Sequence, residues 1–252
     1  MTTTAPSLRR LTPQAAVLLL VAAVAWLVTV GRSGAMGGMS GSMGIGLPAF
    51  VGMWALMMAA MMLPSVAPVA SMYQRSIRSY RALRLAGFSA GYLLAWAGTG
   101  VPAFLLTAVV ARLVGGHPAR ATVAAAAVFA SCGVYQLTPL KARCLRQCRS
   151  PLSLLLHYGA YRGALRDVRA GAHHGAYCLG CCWSLMALFV VLGVMNLAAM
   201  VVLAVVVLVE KLWVHGEVLA RAVGVAALAL AVAVIWLPAL APGLHGTNQM
   251  MS

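Results

Sequence analysis

Cys178-Leu-Gly-Cys-Cys-Trp-Ser-Leu-Met-Ala-Leu-Phe-Val-Val-Leu-Gly-Val-Met-Asn196 joins two signals, three closely spaced thiols and an almost wholly apolar run behind them. At 3.6 residues per turn, Cys178, Cys181 and Cys182 share one face of a helix. The apolar run continues to Val214, too long for one crossing of a bilayer core, which takes about 20 residues. Gly193-Val-Met-Asn196 is the natural turn inside it, so the stretch reads as a tight hairpin of two spans with the thiols at the mouth of the first.

The rest of the chain has the same character. Its 252 residues are 63% hydrophobic and 8% charged, with mean hydropathy +0.94. Soluble domains carry roughly a quarter charged residues, so the composition excludes a water-soluble globule. The expected class is all-α, a polytopic helical membrane bundle. Pro13 to Val30 reads as a retained first span and Leu47 to Ala70 as a second, interrupted by Pro64 and Pro68. Proline removes a helix donor and clashes one turn back, which predicts a kink there. Leu85 to Val114 is the third span, ended by Gly115-Gly-His-Pro118, and Ala121 to Thr138 the fourth. Pro139 to Tyr177 reads as a Cys-containing cytoplasmic segment, partly helical on the membrane surface. The hairpin supplies spans five and six, and Val218 to Leu240 the seventh. The domain division is therefore a disordered cytoplasmic tail 1–12, one transmembrane domain 13–242 and a polar tail 243–252.

A net charge of +15 raises the question of nucleic acid. The basic residues fall between spans instead of gathering in one soluble patch, so no nucleic-acid partner is expected. With seven spans and a cytoplasmic N-terminus, only Arg32, Arg112 and Arg120 of the 18 basic residues lie outside. That bias is the positive-inside signature of a multi-pass membrane protein and sets its orientation, with the lipid bilayer as its first partner.

A second cysteine pair, Cys144 and Cys148, has four-residue spacing among Arg143, Arg146 and Arg149. Facing the cytosol, these thiols stay reduced, which disfavours a disulfide frame. A lone buried cysteine such as Cys132 reads as an apolar filler. Five cysteines in two clusters, with His173 and His174 nearby, read as a soft-metal site. Structural zinc fits a Cys/His set as well. The methionines favour Cu(I): Met53, Met57 and Met61 form a row at four-residue spacing, with Met58 and Met62 beside it. Thioether sulfur suits Cu(I), although methionine also fills gaps between helices. The expected metal set is Cys144, Cys148, Cys178, Cys181, Cys182, Met57, Met58, Met61, Met62 and His174.

Glu210-Lys211 closes the sixth span as a pair that either neutralises itself or contacts the site. Met36, Met39, Met43, His245, Met250 and Met251 read as a weak outer capture set, although flexible low-complexity tails often do nothing specific. Tyr135, Gln136 and Asn196 read as residues that cap or cross-link helices. No phosphate loop, nucleophile elbow or carboxylate pair is present, and no enzyme chemistry is expected. Three rival readings stand beside copper delivery: a copper transporter, a structural zinc clamp on a scaffold, and a membrane thiol oxidoreductase using Cys178 and Cys181 as its redox pair.

Three blocks carry a family resemblance. They are Met53-Trp-x-x-Met-x-x-Ala-Met-Met-x-Pro64, then Gly133-x-Tyr-Gln-x-Thr-Pro-Leu-Lys-x-x-Cys-Leu-x-x-Cys-Arg-x-Pro151, then Cys178-x-Gly-Cys-Cys-Trp-x-Leu-Met186 leading to Gly193-x-Met-Asn196 and Glu210-Lys211. In this order they resemble a bacterial family of metal-binding integral membrane proteins of copper chaperone type, associated with tyrosinase maturation. The resemblance implies copper handling in the inner membrane, with a copper-dependent client enzyme or a copper donor protein as partner.

Overall fold

A computed structural model describes residues 13–36, 46–77, 79–149, 158–159 and 161–245, and every regular element among them is helical. In chain order the helices are α1 (Pro13–Met36), α2 (Leu47–Arg75), α3 (Arg81–Gly98), α4 (Gly100–Val114), α5 (Pro118–Gln136) and α6 (Pro139–Arg149). There follow α7 (Arg166–Ala187), α8 (Phe189–Leu192), α9 (Leu197–Leu212), α10 (Gly216–Trp236), a 3-10 turn (Pro238–Leu240) and α11 (Pro242–His245). Prolines open α2, α5 and α6, at a position where a missing N–H costs nothing. Asn196 caps α9 by accepting from the Ala199 amide at 3.1 Å.

Four helical segments are long and apolar enough to cross a membrane: Leu47–Arg75, Arg81–Val114, Arg166–Leu192 and Gly216–Trp236. Pro118–Gln136 with Pro139–Arg149 makes a fifth if the pair, bent by 63°, counts as one. Outward faces are apolar, with Leu27, Leu113, Val202 and Trp236 each more than half exposed. Several polar and charged side chains are buried instead, among them Lys141, Glu210 and Lys211.

The second span runs past the expected limit at Ala70. Helix α2 continues through Pro64 and Pro68 to Arg75, because exposing backbone in apolar surroundings costs more than tolerating proline inside a helix. The third expected span is broken at Thr99 into α3 and α4.

The larger correction concerns the thiols. Helix α7 begins at Arg166, so Cys178, Cys181 and Cys182 lie near its middle and not at its mouth. Its first half mixes small residues with charged and polar ones rather than oily ones, and packing supplies the reason it is helical. Gly91 lies against the Val168 carbonyl and Gly171 against the Phe88 carbonyl, so near that no Cβ fits at either. Small residues four apart let two helix backbones approach, the usual device of helices packed in an apolar medium. Helices α3 and α7 therefore run side by side in the same direction, with Gly87 at Asp167 and Tyr92 at Cys178. Helix α2 runs opposite to α3. Tyr73 stacks on Phe88 with ring centroids 4.8 Å apart at one end, and the Trp54 indole donates to Thr99 at 3.0 Å at the other. Helix α9 packs beside α2, and α6 packs against α7.

Candidate metal centre

The centre forms where α7 meets α6, α9, α3 and α2. The ligand atoms of Cys178, Cys181 and Cys182 all lie within 4.8 Å of one another, and the three residues are fully buried. Cys181 Sγ is 3.3 Å from Cys182 Sγ. The second cysteine cluster divides. Cys148, on α6, brings its Sγ to 3.6 Å from Cys181 Sγ. Cys144, one turn earlier, seats its sulfur over Gly180, where a Cβ would lie 2.8 Å from it. Gly180 is thus the notch that admits α6 to the face of α7.

Lys211 donates to Cys178 Sγ at 2.8 Å and to Ser65 Oγ at 3.0 Å. Tyr92 Oη lies 3.1 Å from the same sulfur. Cys178 is therefore held by a cation from α9 and a phenol from α3. Glu210 turns away from its neighbour Lys211 and pairs with Lys141 of α6 at 2.7 Å. Gln136 adds a bond to Glu210 at 3.2 Å, and Lys141 Nζ also donates to the Cys181 carbonyl. Consecutive helical residues point about 100° apart, so the expectation that Glu210 and Lys211 neutralise each other gives way to two separate buried contacts. Tyr135 Oη donates to the Gly180 carbonyl and so clips α5 to the same turn of α7.

His174 lies one turn before Cys178, with its ring against Phe88 and Tyr92. Its Nδ1 is buried without a hydrogen-bond partner, and the ring stands outside the thiol trio. Met57, Met58, Met61 and Met62 are all buried. Met58, Met61 and Met62 precede Ser65 by seven, four and three residues, so they share its face of α2. Met39, Met43, Met250 and Met251 of the outer set lie outside the described residues.

Several contributors carried no signal in the sequence. Tyr92 is a lone tyrosine in an apolar helix, and Ser65 a lone serine between prolines. A basic residue closing an apolar run was the available clue for Lys211, since such charge is costly and finds a partner; Lys141, among the arginines of Pro139–Arg149, carried no such clue. Away from the centre, Asp167 binds Arg84 at 3.0 Å and accepts from Tyr73 Oη. Beside that contact, Tyr158 packs among Tyr73, Phe88 and Tyr161. Its burial pushes the phenol well above its ordinary pKa.

Chemically the arrangement is a dry cluster of three thiols with a fourth at its edge and one buried cation. Sulfur donors in this number, without carboxylates among them, select soft metals. No protein of curated function and no solved structure matches the chain. A family described as PpoB2 copper chaperone matches residues 51–234, which takes in every residue named at the centre. The chain belongs to the PpoB2 copper chaperone family.

Proposed function

We propose that the protein binds Cu(I) at Cys178, Cys181 and Cys182, with Cys148 beside them, and passes the ion to a copper-dependent partner protein. One observation carries this reading: three buried thiols within 4.8 Å of one another stand next to a buried lysine. Cu(I) accepts two or three sulfur ligands and needs no water. Zinc prefers a closed tetrahedral Cys/His set, and the ring of His174 stands off the trio. Three thiolates around one Cu(I) leave two negative charges, one of which the Lys211 ammonium balances.

The surrounding bundle reads as a bilayer protein. Seven passes are made by α1, α2, α3 with α4, α5 with α6, α7 with α8, α9, and α10, with the N-terminus on the cytoplasmic side of a bacterial inner membrane. The apolar outward faces and the uneven placement of basic residues support that topology. Alkylation of single-cysteine variants in intact and opened cells tests it, and a first loop labelled only in opened cells would sink it.

The thiol oxidoreductase reading is less well supported. A redox pair must meet a partner's sulfur, whereas Cys178 and Cys181 are both 0% exposed. The test of copper binding is Cu(I) stoichiometry in anaerobically purified protein, wild type against Cys181→Ser/Cys182→Ser. Loss of binding is expected, and equal binding would rule the centre out.

A further inference from the structure

Met186 follows Cys182 by four residues, one helical turn, and lines a groove of about 210 Å³ whose walls include Trp54, Trp96, Trp183 and Phe189. A second track reaches the same groove on α2. Trp54 stands at its wall, followed by Met58 and Met62 at four-residue steps and then by Ser65. Ser65 shares the Lys211 ammonium with Cys178. Both helices thus lead from the groove to the thiols, and both tracks carry sulfur. Met58 and Met62 are fully buried, and Met186 is 4% exposed. Four residues rise about 6 Å along a helix, a short step for an ion exchanging between flexible thioethers.

The donor chemistry changes along the way. Thiolates at the centre are charged and bind firmly, whereas thioethers are neutral soft donors that select the same ions. At the groove, indole faces attract a cation in a dry setting. A packing role alone would need volume at these positions, which leucine fills equally well, and not sulfur.

We propose that Met62, Met58 and Met186 form a thioether relay that moves a monovalent soft cation between the cysteine trio and the tryptophan-lined groove. The proposal rests on the reading of the trio as a Cu(I) centre. Each step is ligand exchange: one copper–sulfur bond forms as another breaks, and copper stays in its +1 state. The groove is then the mouth through which the ion enters or leaves.

The test uses the full chain in lipid nanodiscs, loaded with Cu(I) without oxygen and mixed with an excess of a water-soluble Cu(I) chelator. In Met58→Leu/Met62→Leu/Met186→Leu the copper bound at the start is measured for each preparation, and the rate constant for withdrawal of that bound copper is expected to fall at least fivefold. A smaller change in rate overturns the relay. Should the triple variant fail to fold, Met186→Leu at the groove wall is expected to give at least a twofold slowing, and an unchanged rate overturns the proposal. A further measurement uses Ag(I) on protein with Cys178, Cys181 and Cys182 changed to serine. Residual quenching of tryptophan fluorescence is expected and should disappear with Met186→Leu; quenching that is absent, or that survives this change, overturns the groove site. A wild type that fails to load copper removes the trio reading and the relay with it. Normal loading with unchanged withdrawal removes the relay alone.

Discussion

Lys211 Nζ stands 2.8 Å from Cys178 Sγ, and its other partner is the Ser65 hydroxyl rather than a carboxylate. Among the described residues no acid pairs with this cation, while the neighbouring acid, Glu210, is occupied by Lys141. A buried charge without a counterion is costly. The sulfur centre is therefore the anion that Lys211 serves.

Replacing that cation tests the role directly. Lys211→Met is expected to weaken Cu(I) binding by about 10–100-fold, the usual cost of losing a supporting group around a metal. Lys211→Arg keeps the charge and should retain most of the affinity. Competition with a chelator of known Cu(I) affinity measures both, and wild-type affinity in Lys211→Met would end the counter-charge account.

The two cysteines of α6 should behave differently. Cys148→Ser removes a sulfur 3.6 Å from Cys181 and is expected to lower Cu(I) affinity. Cys144→Ser changes a side chain seated over Gly180 and should leave affinity unchanged. Equal losses from both substitutions would mean that the pair acts as one unit, against the geometry.

Glu210 and Lys141 form a buried ion pair, with each side chain 1% exposed. Breaking such a pair from one side costs about 3–5 kcal/mol, because the remaining charge is stranded. Glu210→Gln should therefore lower thermal stability in detergent markedly. Glu210→Gln/Lys141→Met should recover part of the loss. A double variant less stable than the single one would contradict the pairing.

The contact of α3 with α7 has no room for a methyl group at Gly171, which meets the Phe88 carbonyl. Gly171→Ala is expected to destabilise by about 1–3 kcal/mol, the range for overpacking, and to shift the melting temperature downward. Gly98→Ala, where a Cβ meets nothing within 4 Å, is the control and should be close to neutral.

The extent of the α7 helix illustrates what could be read in advance and what could not. Hydropathy marks the oily half after Cys178 but passes over Arg166 to Tyr177, which holds two arginines, an aspartate and two histidines. Those residues are helical because Gly171 and Gly175 seat against Phe88 and Tyr92 of α3 while Gly87 and Gly91 admit Asp167 and Val168, and Asp167 finds Arg84 and Tyr73 there. The signal was present in Gly87-x-x-x-Gly91 and Gly171-x-x-x-Gly175. Its meaning depends on the two segments being neighbours.

The cysteine trio follows the same logic at shorter range. Spacings of three and four residues on a helix place Cys178, Cys181 and Cys182 on one face whatever surrounds them, because helical geometry is local. The methionine row of α2, the turn at Gly193–Asn196 and the all-helical class are equally matters of local periodicity and composition. Which cysteine of α6 joins the trio, which partner Glu210 takes and which sulfur Lys211 faces are settled between helices far apart in the chain. Those choices depend on the angle and depth at which whole helices pack, which small residues such as Gly180 and Gly171 permit and which no single stretch of sequence contains.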